Sequence, residues 1–337
     1  MAFELRSAGE PDREAWEKAV EASPHGTIFH SWRWLKTLER HVDMRLYPLL
    51  AYQGSQLVAL YPFFVHTYGP FRVADSPASD GFMLYLGPVI PGYEQMKQER
   101  REHVFLSLQE KVDDFLISEL GCKLIRVRTS PSLPDSRPLI WRQYRVKPAY
   151  TYRIDLAGGI DRVWEQFDGK LKADIRRSQK MGVTVREGGP ADLLEAHDTL
   201  YRRFREKGLK KRECREFLAD IYREFQPSVK VFVAEYQGKV VGSVVALLHK
   251  DILRFWFGTP KSGLKGIYPN NLVQWEGIRW AAANGLRICE NMDTGDDVTR
   301  APFKAKFNAG IELWFKADKY ASNFYKLGHF FINPDQF

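Results

Sequence analysis

One order of elements is written twice into this sequence. Leu49-Leu-Ala-Tyr-Gln-Gly-Ser-Gln-Leu-Val-Ala-Leu reads as a strand, a tight polar turn and a second strand, and Val231-Phe-Val-Ala-Glu-Tyr-Gln-Gly-Lys-Val-Val-Gly repeats it with Tyr-Gln-Gly at the same place. Gly54 and Gly238 supply the left-handed conformation that such hairpin turns need. An aromatic run ending in glycine follows each hairpin and predicts a further strand, Phe82-Met-Leu-Tyr-Leu-Gly in the first case and Leu253-Arg-Phe-Trp-Phe-Gly in the second. A helix comes next. Over 99–120, Val104, Leu108, Val112, Phe115 and Leu116 share one face, and over 271–284 Leu272, Trp275, Ile278 and Ala282 do the same. Gly121 and Gly285 end these helices as left-handed caps, and each cap leads into a short strand, Lys123-Leu-Ile-Arg-Val or Leu286-Arg-Ile-Cys-Glu.

Self-similarity over so long a period points to duplicated domains, and 337 residues suit two domains of about 100–200 residues each. Alternating strands and helices imply an α/β class with mixed sheets covered by helices on both faces. The boundary is expected at Lys147-Pro148-Ala149, before the strand Thr151-Tyr-Arg-Ile-Asp-Leu. This places a first domain at 1–148 and a second at 149–311, with 312–337 as a candidate completion of the first. The second half adds helices starting near Asp161, Lys170, Ala191 and Glu213. Core stripes run along the last two, through Leu193, His197 and Tyr201 and through Phe217, Leu218 and Ile221.

Charge is unevenly placed. The chain carries a net +8, and between Lys170 and Glu216 fourteen Lys or Arg face eight Asp or Glu, so this segment supplies +6 of it. It reads either as a surface for an anionic partner or as solvated helix faces. Cys122, Cys214 and Cys289 form no close pair, which speaks against a disulfide framework or zinc knuckle and for reduced, core-packed thiols. The start, Met1-Ala-Phe-Glu-Leu-Arg, has no signal-peptide pattern. Gln53-Gly-Ser-Gln interrupts the longest apolar stretch, so no transmembrane segment and a cytoplasmic location are expected. There is no Gly-x-Ser-x-Gly elbow, no His-Glu-x-x-His and no metal spacing among the eight histidines; no metal and no tightly bound cofactor are expected. Asp296-Asp297 reads either as a metal or acid/base cluster or as loop-tightening residues. Trp32-Arg-Trp reads either as an interface or as buried core.

The order and spacing of four landmarks resemble the Fem (FemABX) family and its short BioF2-like relatives, peptidoglycan bridge-forming aminoacyltransferases. These landmarks are Phe167-Asp-Gly-Lys-Leu-Lys-Ala-Asp-Ile-Arg-Arg-Ser, Pro269-Asn-Asn-Leu-Val-Gln-Trp-Glu-Gly-Ile, Asn291-Met-Asp-Thr-Gly and Phe303-Lys-Ala-Lys-Phe-Asn. The resemblance implies two tandem acyltransferase domains of the N-acetyltransferase (GNAT) superfamily, the second one catalytic. It places Phe303 and Lys304 at the reaction centre, where an ammonium would stabilise the negative charge that develops when an amine attacks an ester carbonyl. The alternative makes Phe303 and Phe307 core anchors at helical spacing and Lys304 a solvated residue. Asp293, at a strand end, is the candidate for orienting the incoming amine, and by the same resemblance Lys36 and Arg212 contact substrate phosphates, a task for which the arginine fork is well suited. The groove is expected between strands ending at Gly258 and Asp293, with Trp256, Gly258 and Asn270 binding substrate. Phe255 and Trp256 stand where the peptidoglycan enzymes tend to carry Tyr.

For the donor, the resemblance implies aminoacyl-tRNA, transferring an amino acid to the amine of a peptide or nucleotide-linked, cell-wall-precursor-like acceptor. An acyl thioester of coenzyme A or of a carrier protein is the alternative. In simple acetyltransferases a glycine-rich loop after the fourth strand cradles the coenzyme pyrophosphate. Lys261-Ser-Gly-Leu-Lys-Gly-Ile-Tyr-Pro-Asn stands in that position with Gly263 and Gly266 as cofactor-binding candidates, although it departs from the usual motif. Pro269 and Asn270 also read as plain helix punctuation. A noncatalytic module of the same fold that binds RNA or another anion is a further alternative.

Overall fold

Tight turns at Gly54 and Gly238, with φ of 60° and 71°, close the two hairpins around which the chain is built. The computed structural model describes residues 3–79, 82–209, 214–260, 262–292 and 301–322. Two compact units form, one of residues Met1–Ala149 with Leu313–Phe337 and the other of Tyr150–Glu312.

In the first unit the strands are β1 (Phe3–Ser7), β2 (Arg45–Gln53), β3 (Gln56–Tyr68), β4 (Phe71–Ser76) and β5 (Leu124–Arg128). β1 to β4 run antiparallel to one another, and β4 and β5 are parallel. Its helices are α1 (Arg13–Ala22), α2 (Trp32–Glu39), α3 (Gln98–Asp114), continued by a π turn over Phe115–Glu119, and α4 (Arg137–Trp141). Alternation along the strands separates two cores. Leu49, Ala51, Ala59, Tyr61 and Phe63 pack with Val104, Phe105, Leu108 and Val112 of α3. Leu50, Leu60 and Phe64 point the other way and are also fully buried. Trp16 of α1 and Trp34 of α2 are fully buried as well, so Trp32-Arg-Trp resolves as core: Trp32 is 4% exposed and sets its ring edge-on to Trp16 at 5.7 Å.

The second unit contains the later part of β6 (Arg145–Asp155), then α5 (Ile160–Gln166), α6 (Gly169–Lys180), β7 (Thr184–Glu187), α7 (Pro190–Glu206) and α8 (Arg215–Glu224). β8 (Val229–Tyr236), β9 (Lys239–His249), β10 (Ile252–Gly258), α9 (Pro269–Ala283), β11 (Ile288–Asn291) and α10 (Ala301–Ala305) follow. Its sheet runs β7-β8-β9-β10-β11-β6, with β10 and β11 parallel and the other pairs antiparallel. α5, α6 and α9 bury Phe167, Leu171, Ile175, Trp275 and Ile278 against Phe232, Val244, Leu253 and Cys289. Val231, Val233, Val245 and Leu247 point to the opposite face, where α7 packs on β8 and β9. Cys122 and Cys289 are buried and Cys214 is partly buried, all three as free thiols; burial pushes Cys122 up to about 11.

The last strand, β12 (Gly310–Tyr320), returns to the first unit, where Lys316–Tyr320 pair antiparallel with β5. One expected strand is absent. The parallel partner of β5 is Phe71–Ser76, and the aromatic run 82–87 makes only an isolated bridge from Leu86 to Thr129. Pro88 follows the run directly and donates no backbone hydrogen bond, so the ladder cannot extend past Gly87.

β4 is tied to its neighbours through a buried charge. Asp75, 1% exposed, receives hydrogen bonds from His66 Nε2 at 3.0 Å and from Arg126 Nε at 2.5 Å and Nη2 at 2.7 Å. Burial alone would raise its pKa, but the bonds from His66 and Arg126 outweigh burial and hold it below the ordinary carboxylate value. A depressed folded-state pKa stabilises the protein above the unfolded carboxylate value of about 3.9, and that contribution is lost as pH falls through the folded value. Urea midpoints should therefore fall below about pH 4, with a shallower acid slope in Asp75→Asn. Arg126→Ala, which strips the buried carboxylate of its guanidinium, should cost about 3 kcal/mol at neutral pH.

Candidate active site

β10, α9 and β11 form a parallel crossover whose strands are in register from Ile252 opposite Ile288 to Phe255 opposite Asn291. Pairing ends there, while β10 continues through Trp256 and Phe257 to Gly258. Its register against β9 shifts between Phe255 and Phe257, which makes Trp256 the extra residue of a β-bulge. Two parallel strands that stop pairing at their carboxyl ends leave the crevice in which open α/β sheets take ligands. The start of α9 is tied to this end of β10. Asn270 Nδ2 donates to the Thr259 carbonyl at 2.8 Å, and the Thr259 hydroxyl accepts from Ser243 N at 2.8 Å. Asn270 Oδ1 is buried with no hydrogen-bond partner among the described residues. Close backbone approach explains two glycines here. A β-carbon on Gly258 would lie 3.1 Å from the Ser243 carbonyl oxygen, and one on Gly242 would lie 2.8 Å from Asn270 Oδ1.

Lys304 reaches the same end of the sheet. It lies on α10, and its Nζ donates to the carbonyl of Met292, the residue after β11. A chain of rings seats α10: Phe303 on Phe307 at 5.7 Å, Phe307 on Phe167 at 5.2 Å, and Phe167 on Trp275 at 5.3 Å. Asp168 N adds a backbone bond to the Lys306 carbonyl at 3.0 Å, and its carboxylate caps α6 through the amides of Lys170 and Leu171. Within Phe303-Lys-Ala-Lys-Phe, Phe307 is a core anchor and the Lys304 ammonium is turned to the end of β11.

A buried charge ladder lies next to this point. Glu290 on β11, fully buried, stands between Arg254 of β10 and Arg153 of β6; Arg254 Nε is 3.2 Å from its carboxylate and Arg153 Nη2 is 3.9 Å away. Thr151 donates to Glu290 Oε1 at 3.0 Å. Arg153 also pairs with Glu312 at 2.5 Å, and burial pushes the Glu312 carboxyl up despite that partner. Beside the ladder, Gln274 of α9 donates to the side-chain oxygen of buried Asn291, and Asn271 donates to Asp174 of α6 at 3.3 Å. Asp174, Asn271, Gln274 and Asn291 lie within the landmarks, but the charged residues of the ladder, Arg153, Arg254, Glu290 and Glu312, did not stand out in the sequence. The alternation Leu253-Arg-Phe and Cys289-Glu-Asn, with charges inside apolar strands, was the signal available.

The remaining sequence candidates fall in several places. Trp256 is 9% exposed, and Gly263 and Gly266 adopt left-handed φ of 75° and 73° in the loop before α9. Lys36 lies on α2 of the first unit, paired with Glu39. Asp293, Arg212 and Asp296-Asp297 lie outside the described residues. Among the described residues no cluster of His, Cys, Asp and Glu is placed to hold a metal, and no helix is long and apolar enough to cross a membrane.

The first unit fills its own equivalent crevice. β4 and β5 stop pairing after Ser76 and Val127, and the chain enters between their ends, with Leu86 N donating to the Arg128 carbonyl at 2.8 Å and Gly87 N to the Ser76 hydroxyl at 3.1 Å. A β-carbon on Gly87 would lie 3.0 Å from Thr129 Cα, and its φ is 80°.

Comparison with known proteins agrees with this geometry. Residues 166–304 match the acetyltransferase (GNAT) domain family, the stretch that contains the β10–β11 crevice and Lys304. The chain is an acyltransferase with a tandem GNAT fold. Its architecture is FemX-like: it superposes on the crystal structure of FemX with a TM-score of 0.69 over 93% of this chain and 96% of that one, at 9% identity. A tandem GNAT protein from the clavulanic acid biosynthesis pathway gives 0.55 at 11% identity, covering 95% and 99%. L-PGS from Bacillus licheniformis gives 0.53 at 14% identity, covering 94% of each chain. No curated protein matches the sequence.

Replacing Glu290 with Gln would leave two buried or partly buried guanidinium groups without their shared carboxylate. Chemical denaturation should show a loss of about 3–5 kcal/mol in Glu290→Gln, whereas Glu276→Gln, on the exposed Arg279 pair, should lose less than about 1 kcal/mol.

Proposed function

We propose that the second unit transfers an amino acid from aminoacyl-tRNA to the amine of a peptide acceptor of the cell-wall-precursor kind, with Lys304 as electrostatic catalyst. The observation that carries this reading is the Lys304 ammonium, anchored on the Met292 carbonyl where β10 and β11 have ceased to pair. FemX-like architecture over both units and the Fem-type landmarks support the choice of donor. In the reaction the acceptor nitrogen attacks the ester carbonyl carbon. The carbon–oxygen bond to the ribose breaks, the ribose oxygen leaves as a hydroxyl, and the proton it gains balances the one lost by the amine. Negative charge builds first on the carbonyl oxygen and then on the leaving oxygen. A fixed ammonium stabilises both, with no reorganisation at the moment of reaction. No covalent enzyme intermediate is required.

A second reading keeps the chemistry and changes the donor to an acyl thioester of coenzyme A or a carrier protein. The likeness to a tandem GNAT protein and the left-handed glycines at 263 and 266 favour it. The two are separated by presenting labelled aminoacyl-tRNA and labelled acyl-CoA in turn with a panel of peptide amines. Transfer from charged tRNA, reduced about 10²–10³-fold in kcat by Lys304→Ala, is the expected result. Transfer from acyl-CoA alone would overturn the tRNA reading, and full activity in the Lys304 variant would remove the lysine from the mechanism.

A further inference from the structure

α6 is latched onto the segment that leads into α9. Asp174 accepts from Asn271 Nδ2 at 3.3 Å, and Ser178 Oγ accepts from Tyr268 N at 2.9 Å while donating to the Asp174 carbonyl at 2.9 Å. Arg177 sits between these two latch points in the sequence, one residue before Ser178. Its guanidinium lies against Gly266: a β-carbon there would be 2.6 Å from Nη2, 3.0 Å from Cζ and 3.2 Å from Nε. Any other residue at 266 would displace the arginine, so the glycine serves this approach as well as its φ of 73°.

The arginine is nevertheless idle within the chain. Among the described residues the Arg177 guanidinium has no hydrogen-bond or ion-pair partner, whereas other arginines of this unit are engaged. Arg176 lies over the Trp164 ring at 5.4 Å, Arg186 pairs with Asp192 and Glu235, and Arg254 pairs with Glu290. The same loop displays Ser262, Gly263, Leu264, Lys265 and Tyr268 to solvent, and it ends where Asn270 is tied to the carboxyl end of β10. A planar fork of donors that rests on the Gly266 backbone, exposed and with no acid of its own, suits an external oxyanion, and a phosphate matches it bidentately.

We propose that Arg177 binds a phosphate of the acyl donor, gripping it from α6 as the donor's reactive end enters the β10–β11 crevice. This rests on the acyl-transfer reading above and adds to it a donor-binding residue that lies within the first landmark but is not among the residues assigned to substrate. The shared chemistry is a phosphate ester. It comes either from the diphosphate of coenzyme A or from the phosphodiester next to the terminal nucleoside of tRNA.

The test measures dissociation constants of the full chain, Arg177→Gln and Arg177→Lys for coenzyme A, for phosphate-free pantetheine and for deacylated tRNA, across a salt series. Arg177 is exposed, so both variants should melt like the parent. Arg177→Gln should weaken the phosphate-bearing ligand by about tenfold and reduce its salt slope by about one, with Arg177→Lys in between. If the source is coenzyme A, the variant should lose most of the preference for coenzyme A over pantetheine. If it is RNA, the effect should appear with tRNA and not with coenzyme A. Equal affinity of parent and Arg177→Gln for the ligand the parent binds would overturn this inference and leave the acyl-transfer reading standing. A parent that binds neither coenzyme A nor tRNA would overturn both.

Discussion

Arg254 and Glu290 pair on the last rung but one before β10 and β11 cease to pair. Everything at the site depends on where that separation occurs. A buried carboxylate between two guanidinium groups is costly to disturb, so the ladder from β10 through β11 to β6 pins these strands in one register. A slip by one residue would turn Trp256 and Met292 to the opposite face. One step beyond, the bulge at Trp256 turns the end of β10, and the Met292 carbonyl holds the Lys304 ammonium. The ladder thus acts as the hinge pin of an opening, and the reactive side chains stand just past it.

The first unit contains the same device with the charges reversed. Asp75 on β4 stands opposite Arg126 on β5, at the third register position of its parallel pair, as Arg254 and Glu290 do in the second. The rows extend differently: Asp318 of β12 stands opposite Arg126 in register but is partly exposed and makes its ion pair with Arg128, whereas Glu290 is flanked by Arg153 of β6. The central acid–base pair has been kept while its sign has changed, as expected if the requirement is a neutralised pair at this rung and not a particular charge. The units differ in what happens past the rung. In the first, Leu86 and Gly87 close the opening with hydrogen bonds from their backbone amides; in the second, the chain turns through Gly263 and Gly266 into α9, and among the described residues Trp256, Asn270 and Lys304 stand at the strand ends.

Much of the fold could be read from local pattern because local pattern caused it. Hairpins at Gly54 and Gly238, caps at Gly121 and Gly285, and the apolar stripes of α3 and α9 each follow from interactions within a few residues. The reading faltered at 82–87. Phe, Leu and Tyr in that run have strand-forming side chains, but the place beside β5 is taken by Phe71–Ser76, ahead of the aromatic run, and this is the strand that echoes β10. Aromatic content was the wrong marker; parallel pairing with the strand after the helix was the right one.

At the site the division is sharper. Taken by itself, the sequence determined the duplicated order of elements, the turns and caps, the helix faces and the basic bias of 170–216, because each depends on near neighbours or on composition. Resemblance drew attention to Lys304. Only the tertiary structure decided that Glu290 sits between Arg153 and Arg254, that Phe167 and Trp275 seat the helix bearing Lys304, and that Arg177 rests on Gly266. Those pairs are separated by tens to more than a hundred positions. Their meeting depends on sheet order and on helix packing across a shared core, which no window along the chain records.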